Sequence, residues 1–145
     1  MTRRYLYGPV RQEWVEAHLP VACRDGTCVP FGPGDTWESA CARAPGGTAP
    51  DFVAIYLAYA TVPDWVCRAS VPLVGLAADT NLQLHHYRRG LRRVDLTLTD
   101  LPSAEVLSRS GVPNVRVANL YGPDAAWLAF TPPEGARELD VLFVG

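Results

Sequence analysis

The stretch that most constrains the fold is residues 71–100, VPLVGLAADTNLQLHHYRRGLRRVDLTLTD. Two apolar runs, Pro72–Ala78 and Asp95–Thr99, flank a basic segment of helical period, and each is closed by an aspartate, Asp79 and Asp100. Short apolar run, helix, short apolar run is the pattern of a βαβ unit with parallel strands. In open sheets of this kind, ligands sit beyond the carboxyl ends of the strands. Asp79 and Asp100 both fall on that edge, so the edge is where chemistry is expected.

The rest of the chain repeats the alternation. Arg4–Tyr7 reads as a first strand that ends at Gly8-Pro9, with a helix over 9–19 on the stripe Val10, Trp14 and Ala17. Cys28–Phe31 reads as a second strand. Gly32-Pro33-Gly34-Asp35 turns into a helix over 36–44, where Asp35 and Glu38 approximate a capping box. The run 44–50 is a loop. Asp51–Tyr59 is the most hydrophobic run and reads as a strand buried on both faces, the mark of a parallel sheet covered by helices. A helical turn over 64–70 with Trp65 packed inward precedes the central unit.

Within that unit, Leu73–Ala78 is a strand and Thr80–Arg93 a helix. Leu84, Tyr87, Leu91 and Val94 lie along its apolar stripe, with His85, Arg89 and Arg92 opposite. The strand 95–99 puts Leu96 and Leu98 on one face and Thr97 and Thr99 on the other. Leu101–Ser110 is a helix with Pro102 in its first turn and Gly111 at its C-cap. Val115–Ala118 is a sixth strand. A short helix with Trp127 and a last strand over 140–144 complete the pattern. The expected fold is α/β: a Rossmann-like three-layer domain with a mostly parallel sheet over 1–139. Residues 140–145 read as the start of a truncated second domain or as an interdomain strand.

Composition excludes several functions. The 145 residues carry a net charge of −2, which argues against a general nucleic-acid binder. No apolar run reaches the roughly 20 residues of a membrane span, and no signal peptide is legible, so the default location is the cytoplasm. All 13 basic residues are arginine. That removes a P-loop lysine and a Schiff-base lysine. No G-x-S-x-G, D-x-D or G-x-G-x-x-G occurs, which leaves a serine hydrolase, an aspartate-held metal diphosphate and a dinucleotide without their parts. The four cysteines, Cys23, Cys28, Cys41 and Cys67, form no C-x-x-C, and ordinary reduced thiols are expected. Cys23 and Cys28 flank a turn and are the pair placed to bond under oxidation. His85 and His86 are neighbours, so they cannot chelate a metal in the i, i+4 manner; no metal site is expected.

The densest polar cluster is Asp79-Thr80-Asn81 with His85-His86. A carboxylate and an imidazole at a sheet edge can act as general base or hold sugar hydroxyls. Asp79 or Thr80 can equally cap the helix, and Asp100 has the same two readings. The arginines 88, 89, 92 and 93 suit either a solvated helix end or an anionic partner.

Four pieces of the sequence resemble the N-terminal half of a GT-B glycosyltransferase, closest to bacterial group 1 and spore-maturation-type enzymes. YGP ends a first strand. PDFVAIYLAY precedes the strand-to-helix turn PLVGLAADTN. VDLTLTD leads a helix A-E-V-L-x-x-x-G. DVLFVG resembles the strand that opens the second domain. The resemblance implies one half of a GT-B fold, on the acceptor side, in an enzyme that moves a sugar from a nucleotide sugar to an unknown acceptor. It implies His85, then Asp79, as catalytic base, with Gly8, Pro9, Thr80, Asn81 and Asp100 facing the cleft. No metal or other cofactor is implied. The nucleotide-sugar donor would be held mainly by the second domain, and peripheral membrane contact is open. A non-catalytic Rossmann-like binding module is the alternative.

Overall fold

The structure is a computed structural model that describes residues 3–10, 26–57 and 61–120. Its centre is a sheet of six strands: β1 (Tyr5–Gly8), β2 (Cys28–Pro30), β3 (Phe52–Tyr56), β4 (Leu73–Ala77), β5 (Leu96–Thr99) and β6 (Val115–Val117). Every pairing is parallel, and the spatial order is β2-β1-β3-β4-β5-β6. The described helices are α1 (Trp37–Ala42), α2 (Thr80–Gly90) and α3 (Leu101–Arg109). The fold is therefore an open, all-parallel α/β sheet of Rossmann-like type, and residues 71–100 form the βαβ unit that their pattern predicts.

Alternation along the strands sorts the two faces. Leu6, Val53, Ile55, Leu73 and Ala77 form one buried cluster with Ala40 of α1, Tyr87 of α2 and Leu107 of α3. All three helices thus pack on the same face. Tyr87 and Leu91 are almost fully buried there, and each such side chain stabilises by roughly 1.5–3 kcal/mol. Gly75 on β4 makes room for them: a Cβ there would stand 2.9 Å from the Leu91 side chain. The opposite face carries Tyr5, Tyr7, Phe52, Tyr56, Val74, Leu76, Leu96 and Leu98, all half-buried. Tyr5 stacks on Phe52 across the β1–β3 pair, with centroids 4.9 Å apart and planes 7° from parallel.

On β5 the threonine face is the buried one. Thr97 and Thr99 are fully enclosed, whereas Leu96 and Leu98 are half-exposed. The Thr99 hydroxyl donates to the Ala77 carbonyl at 2.7 Å, which removes the penalty of burying it.

Several boundaries differ from the sequence reading. Helix 80–93 stops at Gly90 and tightens into a 3₁₀ turn over Leu91–Arg93, consistent with glycine's low helix propensity. The capping box of α1 uses Thr36 and Ser39, not Asp35 and Glu38: Ser39 N–H donates to Thr36 Oγ1 at 3.2 Å, and Thr36 N–H to Ser39 Oγ at 3.0 Å. Asp35 is drawn away by Arg43. Pro9 and Val10 are not helical, because Val10 N–H is taken up by the Phe31 carbonyl at 2.8 Å. The remainder of the helix read over 9–19, the helix with Trp127 and the strand over 140–144 lie outside the described residues.

The expectation of reduced thiols is corrected at one cysteine. Cys28 is disulfide-bonded, whereas Cys41 and Cys67 are free. Cys23, the partner that the turn sequence favours, lies outside the described residues.

Candidate functional site

Parallel strands end on one side, and their order reverses between β1 and β3. In open α/β sheets the crevice opens at such a reversal. Gly8 stands there. A Cβ on Gly8 would collide with the Phe31 carbonyl oxygen, so only glycine lets β1 and β2 close at this level. Phe31 N–H donates to the Tyr7 carbonyl at 2.9 Å, which ties the two strand ends together. Gly8 and Pro9 are both buried. They support the edge rather than project from it.

Asp79 occupies the left-handed region, φ 52° and ψ 41°, at the junction of β4 and α2. A non-glycine residue there is strained by roughly 1–3 kcal/mol, and such strain collects at functional positions. Its side chain makes no capping bond, although its carbonyl accepts from Leu82 N–H at 2.9 Å and Gln83 N–H at 3.0 Å. The capping reading of Asp79 therefore fails, and its exposed carboxylate has no protein donor among the described residues. The turn is held from both sides. The Tyr87 hydroxyl donates to the Ala78 carbonyl, and the Thr99 hydroxyl donates to the Ala77 carbonyl.

Asp100 behaves differently. It accepts from Ser103 N–H at 2.8 Å and caps α3. The β4–β5 register pairs Ala77 with Thr99, so Asp79 and Asp100 stand on neighbouring strand ends. Thr80 is buried at 4 % exposure, and its hydroxyl has no partner among the described residues. Asn81 is exposed. His85 is also exposed, with its ring 4.0 Å from that of His86 and 43° from parallel. Six residues of helical rise separate it from Asp79 by about 9 Å along the axis. The edge thus brings together Asp79, Thr80, Asn81 and Asp100, while His85 stands apart from the carboxylates and no described hydrogen bond orients it.

A second concave feature was not read from the sequence. A cleft of about 640 Å³ opens between the β2–α1 turn and the β3–β4 connection. Trp37 and Trp65 wall it, with centroids 5.9 Å apart. Its scaffold is Asp35, which accepts from Gly32 N–H at 2.7 Å, from Ser39 Oγ at 3.0 Å and from both terminal nitrogens of Arg43 at 2.7 Å. The Arg43 hydrogen bonds hold the Asp35 carboxyl down to about 2, from an ordinary 3.8; the Gly32 and Ser39 bonds add to this, and burial opposes it. The Asp35 carbonyl accepts from the Trp65 indole N–H at 2.6 Å, and Phe31 meets the Trp65 ring edge-on at 5.1 Å. Local signals existed, Asp-Thr-Trp at 35–37 and Pro-Asp-Trp at 63–65, but nothing in the sequence joins them.

Among the described residues no cluster of three or more His, Cys, Asp or Glu is placed to hold a metal, and no helix is long and apolar enough to cross a membrane. Compared with models of known families, with curated proteins and with solved structures, the chain matches none.

Proposed function

We propose that this chain is the acceptor-side half of a GT-B-type glycosyltransferase. The observation that carries the reading is Asp79: a strained residue whose carboxylate has no partner among the described residues, on the carboxyl edge of a parallel sheet, where ligands of such sheets sit. In this reading Asp79 takes the proton of an acceptor hydroxyl. The hydroxyl oxygen bonds to the anomeric carbon, the bond from that carbon to the diphosphate breaks, and the nucleoside diphosphate leaves with the electron pair. Asn81 and Thr80 would orient the acceptor. His85 ranks below Asp79, because no hydrogen bond fixes its imidazole. The donor would be a nucleotide sugar held mainly outside this domain, with no metal, and the setting cytoplasmic. The exposed arginines 88, 89, 92 and 93 would face an anionic acceptor or membrane surface.

A second reading, a binding module without chemistry, draws on Asp100. Its carboxylate is committed to capping α3, which among the described residues leaves Asp79 as the one free carboxylate of the β4 and β5 ends. Turnover separates the two. In the intact natural protein, Asp79→Asn should lower consumption of a nucleotide sugar by about 100-fold or more, the usual scale for a positioned base. An unchanged rate removes Asp79 from that role. If the intact protein consumes no nucleotide sugar, the binding module stands instead.

A further inference from the structure

The cleft walled by the Trp37–Trp65 pair holds unused chemistry. None of Gly8, Pro9, Asp79, Thr80, Asn81, His85 and Asp100 lines it. Its volume of about 640 Å³ lies within the range of small-molecule sites, roughly 300–1,000 Å³. Both indoles are half-buried, and Trp65 is locked by its N–H bond to Asp35 and its contact with Phe31. Around them stand Glu38, Asp64 and Arg68, all exposed. Among the described residues none of these three side chains has a hydrogen bond or ion pair, unlike Asp35, whose carboxylate is engaged by Arg43.

This set discriminates among ligands. A compact cation would favour the two carboxylates and the indole faces, but the Arg68 guanidinium in the same wall repels it. An anion would favour Arg68, but Glu38 and Asp64 repel it. A hydroxyl both donates and accepts, so a ligand dense in hydroxyls uses the carboxylates and the guanidinium together. A pyranose also turns a face of C–H bonds, slightly positive, towards the electron-rich face of an indole. We propose that the Trp37–Trp65 cleft is a binding site for a neutral pyranoside, separate from the Asp79 turn. The site does not depend on the transferase reading, because its residues and ligand differ from those of the Asp79 edge.

The test is an amide and indole NMR titration of the chain with methyl glucopyranoside, methyl galactopyranoside and N-acetylglucosamine, with tetramethylammonium as the competing probe. At least one sugar should give saturable shifts at the Trp37 and Trp65 indole N–H and at residues 61–70. Asp64→Asn and Glu38→Gln, both at exposed positions, should each raise that Kd by about tenfold, equivalent to ~1.4 kcal/mol. Trp37→Ala should abolish the shifts. If it unfolds, the two carboxylate variants carry the test. The proposal is overturned if no sugar gives saturable shifts, if only tetramethylammonium does, or if the shifts fall at 79–85. Nucleotide sugars are left out of this titration, so its failure leaves the transferase reading untouched.

Discussion

Single residues decide more here than their type suggests. Asp35 and Asp64 are both aspartates that follow a proline or glycine turn, yet only Asp35 gains a guanidinium, through α1. Its carboxyl is held below the unfolded value, so its contribution to stability is fully present above about pH 4. That contribution falls away as pH drops from 3.8 through about 2. The gap in Tm between the native chain and Asp35→Asn should therefore be open at pH 6 and close towards pH 2; a gap that stays constant with pH would contradict this. Thr97 and Thr99 form a second contrast. Both hydroxyls are buried, but Thr99 donates to Ala77 and Thr97 has no partner among the described residues. An unmade hydrogen bond costs roughly 1–3 kcal/mol. In urea titrations Thr97→Val should raise stability by about 1 kcal/mol, and Thr99→Val should lower it by a similar amount.

At the level of elements, two strand-to-helix turns of similar sequence diverge. Asp79-Thr80 and Asp100-Leu101 both follow an apolar strand, and both aspartates suit an N-cap. Asp100 has extended backbone, φ −68° and ψ 168°, which is the geometry of a capping residue, and its carboxylate reaches Ser103. Asp79 is left-handed and cannot reach the same position. Asp100→Ala should then destabilise by about 1 kcal/mol. Asp79→Gly should stabilise by up to about 1 kcal/mol, since glycine adopts positive φ without a steric penalty. Thermal denaturation of the two variants checks both signs. If Asp79→Gly proved as destabilising as Asp100→Ala, the left-handed assignment would fail. A variant that gains stability and loses function is the outcome the strained edge implies.

At the scale of the molecule, the open sheet gathers its strand-to-helix turns on one edge and its described helices on one face. The edge follows from parallel pairing alone, because every crossover returns to the same starting side. The helical face follows from crossover handedness: β2 to β3, β3 to β4, β4 to β5 and β5 to β6 all step in one direction across the sheet, so right-handed connections place them together. The other face carries the half-buried tyrosines. Burial raises the Tyr7 phenol above its ordinary value, with smaller contributions from Tyr56 and Tyr5 beside it. Two faces of one sheet thus differ in chemistry: one holds aliphatic side chains and threonine, the other aromatic rings and leucine.

The strand and helix order of residues 71–118 was legible because period and punctuation are local. Apolar runs of strand length, the stripe Leu84, Tyr87, Leu91 and Val94, and Gly111 at a C-cap with φ 78° can each be read from adjacent residues. What stayed illegible depends on groups brought together from distant positions. The choice of Thr36 over Asp35 as cap required Arg43 to claim the carboxylate. The burial of Thr97 and Thr99 in place of Leu96 and Leu98 required the described helices to pack on the threonine face. The Trp37–Trp65 cleft required two crossovers to lie side by side. Sequence by itself determined the parallel α/β architecture and the aspartates at its edge, because backbone periodicity needs no partner. Tertiary structure alone decided which aspartate is free, which face is dry and where the tryptophans meet, because desolvation and hydrogen bonding depend on neighbours that only folding supplies.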